Sequence, residues 1–145
     1  MMSKRAELAN TYHVRGYSCA QAVACAFSDV IGLPEEQIAA LLSGFGGGFR
    51  SGEICGVLSG AITVLGAKWP HAVAEDQAAK ELAAEKAREF QRRWREKFPE
   101  VRCEPLKEMP CAPQHSPTAL ALGLEKNCAV YITAAAEIVE EMLGE

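Results

Sequence analysis

Between Gly44 and Ala67 the chain reads GFGGGFRSGEICGVLSGAITVLGA, a glycine-rich loop running into an apolar segment with Cys55 at the join. From Ile54 to Ala67 the only polar side chains are Ser59 and Thr63, so a helix there is apolar on nearly every side and must be covered by other elements. At about 14 residues it falls short of the ~20 apolar residues that cross a bilayer. The segment therefore predicts a buried central helix, 54–67, in an all-α bundle of about five to six helices. A chain of 145 residues with 49% hydrophobic content can bury such a core without staples, so one domain over 1–145 is expected.

Charge narrows the function classes. The net charge of -4 offers no basic stripe for a phosphate backbone, which argues against nucleic acid and equally against a membrane surface. The opening MMSKRAELANTYH lacks the apolar stretch of a secretory signal, so a cytoplasmic protein with reduced thiols is expected. Six cysteines in such a compartment point to reactive or metal-binding sulfur rather than a disulfide framework.

Helix punctuation places those cysteines. Ser3 to Arg15 fits a first helix closed by Gly16, and Ser18-Cys19-Ala20-Gln21 is a capping box that puts Cys19 at the first helical position. Ala20, Val23, Ala24, Phe27 and Ile31 form the apolar stripe of this second helix, which runs to Gly32. Cys25 falls about 240° round from Cys19, among Gln21, Ser28 and Asp29, so the two sulfurs should not converge and Cys25 is expected outside any site. Pro34 opens PEEQIAALLS, with Glu35 and Glu36 suited to a helix N-terminus, and Gly44 closes it. Ser51 or Gly52 is the expected cap of the central helix, leaving Cys55 in its first turn, and Gly56 and Gly60 lie along one side where another backbone can approach.

Beyond Lys68-Trp69-Pro70, His71 to Phe98 reads as one long amphipathic helix with Ala79, Leu82, Ala83, Ala87, Phe90, Trp94 and Phe98 on its apolar face. Asp76 with Lys80 and Glu89 with Arg93 are its acidic-first pairs. Five prolines from Pro99 to Pro117 keep the next stretch irregular; it carries Cys103 and Cys111, the latter a local partner for Cys103 or an incidental surface thiol. Asn127 caps a last helix with Cys128 at its first position, while a start at Ser116-Pro117 would instead bury Cys128 in mid-helix. No β pattern and no repeat is visible.

Cys19, Cys55 and Cys128 thus share a helix start, where unsatisfied N–H groups and the macrodipole favour a thiolate, the form that acts as nucleophile and as metal ligand. Arg15 and Arg50 add positive charge near Cys19 and Cys55, opposed by Glu53, so the thiol pKa values are expected to shift downward. The bland alternative is that cysteine simply packs as a small hydrophobe. His13, His71 and His115 are scattered and read as surface or packing residues. No C-x-x-C, H-E-x-x-H or paired zinc knuckle occurs, and GFGGG lacks the strand and the Gly-Lys of a phosphate cradle.

Taken together, GYSCAQAV around Cys19, GFGGGFRSGEICGVLSGA around Cys55, Cys103, and NCAVYITAAAEIVEEML from Cys128 resemble the C_GCAxxG_C_C family, small helical proteins labelled redox-active. The resemblance covers almost the whole chain and implies that the four characteristic cysteines are Cys19, Cys55, Cys103 and Cys128. An alanine of the family's pattern is Val57 here, within Cys55-Gly56-Val57-Leu58-Ser59-Gly60; Cys25 and Cys111 have no counterpart.

Three functions are then to be distinguished. In the first, these four cysteines carry thiol–disulfide exchange or electron transfer, as in a thiol–disulfide oxidoreductase with an unidentified redox partner. In the second, no covalent exchange occurs and the same four, Cys19, Cys55, Cys103 and Cys128, hold zinc or an iron–sulfur cluster. In the third, the glycine-rich loop and central helix form a binding module. The close-packing glycines and charged long helix are compatible with a homodimer.

Overall fold

The computed structural model describes residues 2–145. Its first helix, α1 (Lys4–Val14), starts where Ser3 accepts a hydrogen bond from the Ala6 N–H. The capping box then forms as its residues dictate, Ser18 taking the Gln21 N–H and the Gln21 side chain taking the Ser18 N–H, and it opens α2 (Cys19–Cys25). The long helix expected to reach Gly32 breaks at Ala26–Phe27, and a short α3 (Ser28–Ile31) follows. At the break the Ala26 carbonyl accepts from the Arg5 guanidinium, which also lies over the Phe27 ring and pairs with Asp29 and Glu145. An external donor at Ala26 replaces the helical bond that Val30 would have made, since the Val30 N–H turns to Phe27 instead.

Next, α4 (Glu35–Leu41) lies against α2 and covers its supposedly polar side: Gln21 donates to the Ala39 carbonyl, and Cys25, fully buried, donates to the Glu35 carbonyl. The wheel reading of Cys25 as polar-facing is corrected accordingly; its side of α2 is closed by a neighbour rather than by water.

The central apolar helix is α5 (Gly56–Lys68). Neither Ser51 nor Gly52 caps it. Residues 48–52 form a single wide turn, and Glu53 to Cys55 run extended because Ile54 bridges Arg102 in antiparallel fashion, so Cys55 itself becomes the N-cap. Packing of α2 on α5 depends on missing side chains: a Cβ on Gly60 would lie 2.6 Å from the Ala20 carbonyl oxygen, and one on Gly56 would lie 2.5 Å from Cys19 Sγ.

The longest helix, α6 (Gln77–Arg95), begins six residues later than His71, because the Asp76 side chain caps it through the Ala79 N–H rather than pairing with Lys80. Only its second half reaches the core, where Phe90 and Trp94 stack with Phe98 and Tyr131. Leu82 stays 44% exposed. The Glu89–Arg93 pair forms at 2.9 Å.

The proline-rich stretch holds two short helices, α7 (Cys103–Glu108) and α8 (Pro117–Leu122), the latter ended by Gly123 before α9 (Asn127–Met142). In α9 every residue from Ala129 to Val139 except Glu137 is buried, and Ala134, Ala135 and Ala136 let α1, α2 and α5 close around it. Six of these helices have seven residues or more, as the sequence implied, with no strand among the described residues. Among the described residues no helix is long and apolar enough to cross a membrane.

Candidate functional site

All four cysteines of the motif sit at the start of a helix. Cys19 and Cys103 are the first residues of α2 and α7, Cys55 is the N-cap of α5, and Cys128 is the second residue of α9. The starts converge on one cavity of about 190 Å3, lined by the four cysteines together with His13, Lys107, Tyr131 and a few apolar neighbours. Cys25 and Cys111 are not part of it; Cys25 is buried under α4 and Cys111 is exposed.

Backbone pairing brings two of the walls together. Cys55 donates its N–H to the Val101 carbonyl at 2.8 Å, and Cys103 donates its N–H to the Glu53 carbonyl at 2.6 Å, flanking the Ile54–Arg102 bridge. This clamp puts Cys55 and Cys103 on the same face of two short extended segments. A second clamp holds α7 to α9. Asn127, expected as a cap, is instead the first residue of α9 after an extended Lys126, and its Nδ2 donates to the carbonyls of Leu106, Lys107 and Met109. Tyr131 donates its hydroxyl to the Leu106 carbonyl at 2.6 Å.

The glycine-rich loop supplies the third wall. Gly47, Gly48, Phe49 and Arg50 all take positive φ, between 58° and 63°, a turn of left-handed helix that glycine adopts freely and Phe49 and Arg50 do not. A Cβ on Gly48 would meet Glu53 backbone atoms at 2.5 Å and Cys103 Cβ at 2.8 Å, so the bare glycine is what lets the loop lie against the clamp. The loop also brings Gly47 to the cavity wall beside Cys19.

Electrostatics separate the four thiols. Cys19 is pulled down to about 6, chiefly by a hydrogen bond with Cys55; burial opposes this, while the N–H groups of Gly47 and Ala20 and the nearby His13 add to it. Its partner moves the other way: the same hydrogen bond, burial and repulsion from Cys19 hold Cys55 as a thiol. The two form one unit, a thiolate accepting from a thiol. Burial also pushes Cys103 and Cys128 up, only partly relieved by Lys107. The downward shift expected of every helix-start cysteine thus holds for Cys19 alone: at Cys55 the hydrogen bond with Cys19, and burial after it, raise the thiol, and at Cys128 burial leads. Neither expected arginine serves the site, since Arg15 pairs with Glu35 and Arg50 donates to the Ser43 carbonyl.

Lys107 and Tyr131 are not singled out by the sequence, and His13 reads there only as a surface or packing residue. His13 comes from the last turn of α1, and nothing in its spacing connects it to a cysteine; Lys107 and Tyr131 stand four and three residues after Cys103 and Cys128, on the same helical faces.

All six thiols are unpaired in this structure. Among the described residues no three His, Cys, Asp or Glu side chains stand where they would hold a metal ion, so the donor set considered for zinc or a cluster does not form a ligand cage as it stands.

The family model described as "Putative redox-active protein (C_GCAxxG_C_C)" matches residues 17–142, a span that includes all four cavity cysteines. The chain belongs to the C_GCAxxG_C_C family. No curated protein and no solved structure matches it significantly. Within this C_GCAxxG_C_C protein the matched span starts at Tyr17, just before the capping box, and ends at Met142, the last residue of α9, so it takes in every helix that carries a cavity cysteine.

Proposed function

We propose that this protein is a dithiol–disulfide oxidoreductase in which Cys19 is the attacking thiolate, Cys55 the resolving thiol, and Cys103 with Cys128 a second dithiol on the same cavity. One observation carries the reading: the starts of α2 and α5 bring Cys19 and Cys55 onto one cavity, packed so closely that a Cβ on Gly56, the residue after Cys55, would stand 2.5 Å from Cys19 Sγ. The Cys19 thiolate attacks one sulfur of a substrate disulfide, forming a mixed disulfide and expelling the other half as a thiolate. Cys55 then gives its proton to that leaving thiolate and attacks Cys19 Sγ, which releases the second half and leaves a Cys19–Cys55 disulfide. Two electrons pass from the dithiol to the substrate.

Magnitudes show why the pair matters more than the pKa. At pH 7 a thiol ionising near 6 instead of near 9 has roughly a hundredfold more thiolate, yet its nucleophilicity falls about twentyfold, leaving a gain of about fivefold. The larger gain lies in holding Cys55 beside the mixed disulfide, because a positioned second nucleophile acts at an effective concentration of ~10⁵ M or more.

Cys55→Ser tests this. The variant, mixed with a small disulfide, is expected to accumulate a stable adduct on Cys19, whereas the wild type passes to an intramolecular bond that peptide mapping assigns to Cys19 and Cys55. An adduct first seen on Cys103 or Cys128, or oxidation that leaves Cys19 and Cys55 unlinked, overturns the assignment.

A further inference from the structure

The cysteine cavity is not closed. On one side it continues into a groove of about 860 Å3 between the end of α1 and the loop that leads into α9, and His13, Lys107 and Cys128 line both spaces. We propose that this groove seats the body of a low-molecular-weight, carboxylate-bearing disulfide whose S–S bond reaches through the shared opening to Cys19. The inference rests on the dithiol reading above and names its substrate class.

Size is the first argument. Cys55 and Cys103 are only 5% and 6% exposed, and a cavity of about 190 Å3 admits a disulfide bridge with its neighbouring methylenes. The cavity holds little beyond the bridge itself, so the body of the substrate must sit outside it. The groove, by contrast, lies within the ~300–1,000 Å3 range of small-molecule sites.

Charge is the second. In a chain whose net charge is -4, the groove carries Lys107 and Lys126 against the single acid Glu125. The start of α9, which has no side-chain cap, adds the positive end of a 16-residue helix to the same wall. Carboxylates on the substrate body complement this excess, while an ammonium would meet both lysines. Continuity is the third: the thiol expelled by Cys19 leaves along the same groove, past Cys128, so one path serves entry and release.

The test is a single turnover of fully reduced protein with three disulfides that share one reacting bond: oxidised glutathione, bis(2-hydroxyethyl) disulfide and cystamine. Loss of two protein thiols is followed by mass, and each rate is divided by that of a free thiolate with the same disulfide. Normalised rates are expected to fall from the anionic to the neutral to the cationic compound. Lys107→Glu and, independently, Lys126→Glu, both at exposed positions, are each expected to cut the anionic-to-cationic ratio about tenfold. Arg88→Gln on the outside of α6 leaves the ratio unchanged. Equal normalised rates, or a ratio that neither lysine variant moves, overturn the substrate class and leave the dithiol reading standing. The same holds if none of the three reacts while diamide still links Cys19 to Cys55. If diamide cannot form that bond, the dithiol reading fails and this inference falls with it.

Discussion

At the scale of single residues the site is one titrating pair and the glycines that leave room for it. Because Cys19 ionises near 6 while Cys25, buried against Glu35, is pushed up to about 11, alkylation of the reduced protein by iodoacetamide should label Cys19 first. Its rate should rise through pH 6 and level off by pH 7, with Cys25 unlabelled until the pH approaches 11. A rate that climbs steadily to pH 9, as for an ordinary thiol, would remove the thiolate from the account. Gly56 guards this arrangement directly. In Gly56→Ala the new methyl would stand 2.5 Å from Cys19 Sγ, forcing the sulfur away from Cys55. We expect a loss of about 1–3 kcal/mol in urea unfolding and a Cys19 inflection displaced toward the ordinary thiol range. Gly66, on the same helix, is the control, since an added methyl there would meet nothing within 4 Å: Gly66→Ala should stabilise by ~0.5–1 kcal/mol and leave the inflection where it is.

At the scale of elements, what positions the cysteines is not the helices themselves but the devices that start them. The capping box at Ser18 was legible because its two hydrogen bonds are encoded in adjacent residues. The start of α5 was not, since Cys55 becomes the cap only through pairing of residues 53–55 with 101–103, a contact between segments almost fifty positions apart. Nor was α7. Its Arg102 cap makes no side-chain bond, and its one local signal, Glu104-Pro105 in a first turn that needs no proline N–H, is easily lost among five prolines. Asn127 had the right residue type for a cap and a different employment, tying the far end of α7 to α9. Asn127→Ala should therefore cost ~1–3 kcal/mol, as three carbonyls lose a donor. It should also slow oxidative linkage of Cys103 to Cys128 far more than that of Cys19 to Cys55. Equal slowing of both would mean that α7 is held by something other than this side chain.

For the whole molecule, the proposed dithiol chemistry has a thermodynamic consequence, because closing a disulfide across the cavity should stiffen the fold. The class of the fold was readable from the apolar run at 54–67 and the amphipathic spacing within 71–98, yet the meeting of four helix starts was not, because convergence depends on how α1, α2 and α5 wrap α9. Joining Cys19 to Cys55 closes a loop of roughly 36 residues and would stabilise the fold by about 4 kcal/mol through the unfolded chain's lost entropy. Against this stands the ionisation of Cys19, which exists only in the reduced pair: a folded-state pKa of about 6 against 9.0 for an ordinary thiol is worth about 1–1.5 kcal/mol at pH 7. At neutral pH this offsets roughly a third of the ~4 kcal/mol cross-link, so oxidation should still stabilise the fold, by less than the loop alone implies. The balance must tilt with acid. A folded-state pKa near 6, against 9.0 for an ordinary thiol, gives stability that is complete above pH 9 and is lost as the pH falls through 6. Only the reduced protein has that thiolate to lose. The gap in unfolding free energy between oxidised and reduced protein, measured by urea titration, is therefore expected to widen as the pH is lowered from 8 to 5, approaching the ~4 kcal/mol of the bare cross-link, and Cys55→Ser, which can still join Cys103 to Cys128 but not Cys19 to Cys55, should show no such widening. A gap that narrows in acid would mean that the charge on Cys19 does not hold the reduced site together.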